Sequence, residues 1–440
     1  MASRASVLCQ AIHETSHEDL PVAVRHQLKR CFLDLAGAML AGSVTPAGAI
    51  AAAFALEQWS GSTALIPVFG GCAHPTGAAF AGGVMANALD IDDGYRAAKG
   101  HPGAAVIPAA LAVGCEGKAS GPELLAAIAV GYEVGIRTGL LTHATYSDYH
   151  ASGSWTAVGA AACASRLLGL NEETTLHALG VAEYHAPISP MVRCLEEPAM
   201  VKDGLGWGSM VGVSSAYLAR AGFTGVTPLL AEEAGSGHLD TLGKEFLLQG
   251  VYFKPYACCR WAHPAIAAAL ELVREHALNP AEIETITVET FSLTTHLRTV
   301  CPRHTEDAQY SVSYPMAAAL VWGKVGPAEV SEGKLTDPRV LRLAQRVHFV
   351  VAEDLDRVFP EQCLARVRVD TAQGGQFESD VYSSPWDTGD PPTDDELKGK
   401  FRDLAGLVLP EDRVRELEEM LWHAEEVPAA EDLVAATWRQ

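Results

Sequence analysis

Between Asn87 and Ala109 the chain gathers Asp90, Asp92, Asp93, Arg96, Lys99 and His101 in an otherwise apolar, small-residue setting. Burying charge at this density is costly unless the groups pair with one another or do chemistry. Carboxylates beside a histidine are the residue types of proton transfer. The same aspartates suit helix caps and turns, and acidic clusters can hold a divalent cation, although a second cluster of comparable density in a helical setting is lacking. Gly94, Gly100, Pro102 and Gly103 break helical periodicity. They put the charges on a loop between two buried helices, Ala78 to Leu89 and Ala104 to Val113. The loop reads as the floor of an active site.

Three further stretches can carry chemistry. His150 lies in a polar turn, Tyr149 to Thr156, that leads into an alanine-rich helix whose free N–H groups favour an anion; a half-buried structural histidine is the plain alternative. Lys202 lies in a glycine-rich segment ahead of another helix, where a solvated lysine is the plain alternative. Lys254, Arg260 and His263 fall where the character of the chain changes, and ligand sites favour domain junctions. The adjacent Cys258 and Cys259 lack zinc-site spacing and read as packing residues.

These residues must be positioned by helices. Val22 to Leu40, Ala47 to Trp59, Ser154 to Leu168, Asn171 to Ala182 and Gly208 to Ala221 have helical apolar spacing. Pro122 to Leu141 is apolar almost all round and so belongs at the centre of a bundle. After Pro264 the period changes. A helix over Ala265 to His276 precedes a strand over Ile283 to Glu289, and Ala365 to Val369 turns at Gly374-Gly375 into a returning strand, Gln376 to Tyr382. Helices at Ser313 to Trp322 and Pro338 to Val347 lie between. Thr393 and Glu396 form a capping box before the last helices, which should fold back on the first part. The expectation is a mainly α protein: a large helical domain over 1–263 and 393–440, and a smaller α+β lid over 264–392.

With 48% hydrophobic and 20% charged residues the chain is globular rather than disordered. Its net charge of -22 argues against nucleic acid or an anionic membrane as partner, and means that any anionic substrate must be held by cations gathered locally. Ten scattered cysteines without a CxxC pattern read as reduced thiols of a cytoplasmic protein. No uninterrupted apolar run approaches about 18 residues, so a membrane span is not expected.

The chain resembles the MmgE/PrpD family of 2-methylcitrate dehydratases, cis-aconitate decarboxylases and an iminodisuccinate epimerase. The resemblance rests on Leu35-Ala36-Gly37 and Leu40-Ala41-Gly42, the aspartate-rich loop closing in His101-Pro102-Gly103, the His150 turn, Lys202 with its glycines, Phe253-Lys254-Pro255-Tyr256 through His263-Pro264, and Thr393 to Phe401. It implies a homodimer, a site in the cleft between helical domain and lid, and catalysis without metal; no cofactor is expected. It also implies that Asp90, His101, His150, Lys202 and Lys254 line the cleft, with Tyr314 beside them. There are departures: Lys99-Gly100 stands where the dehydratases have tryptophan-glycine, Gly103-Ala104 follows the His-Pro where they have serine-aspartate-asparagine, and Asp203 follows Lys202 where other members have proline.

The function expected is a lyase acting on a small di- or tricarboxylate, like the dehydratases or the decarboxylases; an epimerase of a dicarboxylate such as iminodisuccinate is the alternative. In either, Lys202 and Lys254 would bind carboxylates, His101 would move the carbon-bound proton, Asp90 would orient it, and His150 would be a second acid or base. Arg260, His263 and Tyr314 would contact substrate. A hydrolase using Ser152 or Cys258 lacks a nucleophile-elbow pattern.

Overall fold

The structure is a computed structural model and describes residues 3–438. It is mainly α, with a smaller region built on a mixed sheet. The first part is a bundle of α1 (Arg4–Glu14), α2 (Val22–Gly42), α3 (Pro46–Gln58), α4 (Pro75–Asn87), α5 (Gly103–Gly117), α6 (Gly121–Thr145), α7 (Gly153–Leu167), α8 (Glu172–His185), α9 (Met191–Glu196) and α10 (Leu205–Arg220). Asn171 caps α8, and Ser120 with Glu123 closes a capping box on α6.

Helix α6 is long and apolar enough to cross a membrane by length and composition, and 94% of its apolar window is buried inside the protein. Its two buried mid-helix charges answer one another: Arg137 pairs with Glu133, whose Oε1 also accepts from the Leu248 amide at 2.8 Å. The α5 helix starts at Gly103 and runs through Pro108 to Gly117, longer than apolar spacing alone marks out. A two-stranded sheet, β1 (Ser60–Leu65) with β2 (Cys72–Ala73), was not legible from periodicity, because most of β1 is exposed and polar.

The smaller sheet has the order β4 (Val347–Val351), β3 (Ile283–Thr290), β5 (Leu364–Thr371), β6 (Gln376–Glu378), with β7 (Tyr382–Ser383) also on β5. Strand β3 is parallel to β4 and antiparallel to β5. A register shift between Ile283 and Thr285 adds a residue, which is why Ile283 is buried together with Ile286 and Val288 in spite of the period of two. The returning strand expected over Gln376 to Tyr382 is split into β6 and β7. Ser379 interrupts it, its Oγ accepting from the Val367 amide at 3.0 Å in place of a ladder carbonyl.

Two cores meet at the acidic loop. One fills the bundle and takes in Leu397, Phe401, Leu417 and Leu433 from the C-terminal helices. The other surrounds the sheet and the helix His263–Glu275, and reaches across to Ala38, Ala41, Leu89 and Ile91. Lys400, buried on the helix Asp394–Ala405, donates to Asp34 on α2 and to the carbonyl of Ile91, each at 2.6 Å. The C-terminal segment thus pins the loop that carries Asp90.

Candidate active site

Leu89 and Ile91 are anchored in the sheet-side core, and Asp90 between them adopts φ +49°. That left-handed conformation is unfavourable for a residue with a Cβ and persists only where surroundings enforce it. Here it turns the carboxylate away from its neighbours' packing. Farther along, Gly94 and Tyr252 exchange backbone hydrogen bonds at 2.9 and 3.0 Å, tying the loop to the segment that carries Lys254. A tight turn then closes with the Tyr95 amide donating to the Gly100 carbonyl at 2.7 Å. A Cβ on Gly100 would lie 2.0 Å from Ser152 Oγ, so only glycine lets the turn lie against the start of α7.

Lys254 Nζ donates to Asp90 Oδ1 at 2.6 Å. His101 has an acceptor at each ring nitrogen: Nε2 lies 3.4 Å from Asp90 Oδ1, and Nδ1 lies 3.2 Å from Asp92 Oδ2 and 2.7 Å from the Asp93 carbonyl. A neutral imidazole has one N–H, so this setting favours the imidazolium. Burial would lower the pKa of His101; the Asp92 charge and hydrogen bond more than reverse this and push it up to about 10. Asp90 is held below the usual carboxylate range: burial works against ionisation, and Lys254, Lys202 and His101 overcome it. Burial would depress the Lys254 ammonium, yet Asp90 and Asp92 raise it above its ordinary value. Beneath them Asp93 is pushed up to about 7 by burial, even though it accepts from Tyr132 Oη at 2.6 Å and from the Gly103 amide at 3.1 Å.

Asp203 faces this chain of charges from the α9–α10 connection, accepting from Ser152 Oγ at 3.1 Å and Tyr310 Oη at 2.9 Å. Burial raises its pKa. Asp90, His101 and Asp203 offer ligand atoms within 4.8 Å of one another. A divalent cation there would have to displace the Lys254 ammonium from Asp90 and the proton from His101, so the donor set is already satisfied by the protein's own cations.

Above these groups lies a cavity of about 240 Å³ lined by Asp90, His101 and Asp203, by Arg96, Lys99 and Arg260, and by Tyr149, Tyr252, Cys259, Trp261, Tyr310 and Phe359 among others. Of the residues expected from sequence, Asp90, His101 and Arg260 line it. Lys254 and Lys202 stand one layer behind. Lys202, at φ +43°, donates to Gln309 Oε1, lies 3.4 Å from the Ala88 carbonyl and sits 5.1 Å from the Tyr310 ring; it lines a second hollow instead. His150 is not a cavity residue: it is buried, stacks on His143 at 4.6 Å, and is kept neutral by burial. His263 is also turned away, Nε2 meeting the Cys258 carbonyl at 3.1 Å. Tyr314 donates to the Glu329 carbonyl at 3.0 Å, inside the sheet-side core.

Two family models cover most of the chain: the MmgE/PrpD N-terminal domain matches residues 6–249 and the MmgE/PrpD C-terminal domain residues 256–426. The chain belongs to the MmgE/PrpD family. Among similar MmgE/PrpD-type proteins are the cis-aconitate decarboxylase-like protein oryM of Aspergillus oryzae, 27% identical over 97% of this chain and 96% of that one, and the human cis-aconitate decarboxylase, 27% identical over 95% and 91%. A cis-aconitate decarboxylase of Aspergillus terreus is 26% identical over 94% of this chain and 91% of its own. Within this MmgE/PrpD fold, Arg96 and Lys99 were expected only as members of the charged loop and not as named substrate contacts, and Asp203, Tyr252 and Tyr310 were not expected in the cavity. Asp203 had a signal, being a charge inside a glycine-rich apolar segment next to Lys202. The aromatic side chains had none, since only the fold brings them to the cavity.

Proposed function

We propose that this protein is a carbon–carbon lyase that decarboxylates cis-aconitate or a close polycarboxylate, with His101 as proton donor and without a metal. The observation that carries the reading is His101, buried with a carboxylate near each ring nitrogen and facing a cavity of substrate size. The names of the similar proteins support it.

Loss of CO2 from the CH2-carboxylate arm of cis-aconitate breaks a C–C bond. Its electron pair becomes the new terminal methylene double bond, and the former double-bond pair moves to the carbon beside another carboxylate. One proton completes itaconate, so the reaction needs an acid and no base. An imidazolium stabilised by Asp90 and Asp92 supplies that proton and, before transfer, an electrostatic field for the developing enolate. Lys254 and Lys202 keep Asp90 ionised from behind. Epimerisation would need a base as well as an acid: His150, the second acid or base expected, does not line the cavity, which leaves Asp203 as the group that would have to serve.

Proton NMR in deuterium oxide with cis-aconitate tests the proposal. The expected product is itaconate carrying one deuterium on the methylene beside its carboxylate. Exchange of deuterium without loss of carbon, or turnover only with iminodisuccinate or 2-methylcitrate, would replace decarboxylation by epimerisation or dehydration. We also propose a cytoplasmic homodimer, joined through the apolar hollow bounded by Ile50, Phe54, Met200, Val201 and Trp207, all exposed.

A further inference from the structure

We infer that the rim of the cavity, rather than its floor, binds the substrate's carboxylates, and that Arg96, Lys99 and Arg260, with Asp387 offsetting part of their charge, make the ligand class a tricarboxylate rather than a dicarboxylate. The inference rests on the decarboxylase reading and adds to it the residues that select the substrate.

The floor has little positive charge to spare. Lys254 is paired with Asp90, His101 lies between Asp90 and Asp92, and Lys202 is turned to Gln309 and the Ala88 carbonyl. The rim differs. Arg96, Lys99 and Arg260 all line the cavity, and one carboxylate, Asp387, sits behind two of them: it pairs with Arg260 and lies 3.5 Å from Arg96 Nη1. Asp387 does not itself line the cavity. Three cations against one anion leave a local excess of two positive charges in a chain of net charge -22.

Two details point these cations at a ligand. The Arg260 side chain is 10% exposed, stacks 4.5 Å over the Tyr252 ring, and keeps a buried Nε without an acceptor. A guanidinium that has lost its water and has N–H groups left over is a carboxylate site awaiting its anion. Lys99 holds φ +56° at the corner of the Tyr95–Gly100 turn, where glycine or asparagine would sit with less strain. Its ammonium faces the cavity near the Tyr149 ring, 5.8 Å away. A tricarboxylate can set two anionic groups against this rim and leave the third beside His101; a dicarboxylate leaves one position empty.

Isothermal titration calorimetry on the full chain with tricarballylate and glutarate tests this, because the two ligands differ only by the central carboxylate. Wild type is expected to bind tricarballylate about tenfold or more tighter than glutarate, as one partly desolvated charge pair would give. Asp387→Asn should tighten tricarballylate about tenfold and glutarate less, and Lys99→Asn, which suits a positive φ, should weaken tricarballylate about tenfold and glutarate by less than about threefold. Added salt should narrow the wild-type preference. Equal shifts for the two ligands, or none, in Lys99→Asn with an unchanged melting temperature would overturn the rim assignment while leaving decarboxylation intact. Failure of wild type to bind either ligand would overturn the rim assignment, whereas the decarboxylase reading stands or falls on itaconate formation from cis-aconitate.

Discussion

His101 is held by acceptors at both ring nitrogens, so its chemistry follows from its neighbours more than from itself. If it delivers the proton, His101→Asn should lower cis-aconitate turnover by about a hundredfold or more with little change in melting temperature; near-normal CO2 release would remove it from the reaction. An acid acts only while protonated, so turnover should persist at low proton demand and be lost as pH rises through a value near 10. Asp92 is the principal group raising that value, so Asp92→Asn should bring the alkaline limb down to or below the ordinary histidine value of 6.5. A pH–rate profile of the variant with an unmoved alkaline limb would show that another group titrates. At this scale the sequence was informative where charge broke into apolar surroundings, as at Asp90 and His101. Arg96 and Lys99 stood in the same stretch, but flanking glycines and a polar turn made them indistinguishable from solvated charges. His150 and Tyr314 carried a resemblance, and only packing decides that one stacks on His143 and the other donates to Glu329.

The elements place these residues through contacts between small side chains. On α7, a Cβ at Gly159 would lie 2.5 Å from the Gly131 carbonyl and 3.0 Å from Gly135 Cα on α6, so the two backbones touch there. Gly159→Ala should therefore force the helices apart and cost about 1–3 kcal/mol, read as a lower denaturation midpoint; an unchanged midpoint would mean that α6 and α7 separate freely. That separation would also loosen Ser152, which caps the approach to Asp203 and His101. At the other end of the chain Thr393 accepts from the Glu396 amide and Glu396 accepts from the Thr393 amide at 2.7 Å. Thr393→Ala should cost about 1 kcal/mol of stability in the same measurement. The capping box was legible because it is local, two residues at fixed spacing. The shift at Ile283 and the break at Ser379 were not, since each depends on a partner strand far away in sequence.

At the scale of the whole molecule the charge of -22 sets the frame: an apolar hollow on so acidic a chain is where the proposed interface would lie. Ile50 and Phe54 on α3, Met200 and Val201 from the segment leading into α10, and Trp207 in the first turn of α10 surround one hollow of about 220 Å³. Phe80 lies at its wall, 5.4 Å from the Trp207 ring. In the proposed homodimer a second copy would bring the same apolar patch to meet it, which is how a twofold interface is made from a single sequence. The hollow also includes Lys202, whose ammonium reaches Gln309 and the Ala88 carbonyl behind Asp90. Covering the hollow would enclose the remaining edge of a lysine that is already buried and helps keep Asp90 ionised, and so couple assembly to the site. Trp207→Glu should convert the protein from two chains to one in light scattering and lower turnover several-fold, with the fold retained in circular dichroism. A variant that stays dimeric would move the interface to another face, and a fully active monomer would separate Lys202 from assembly.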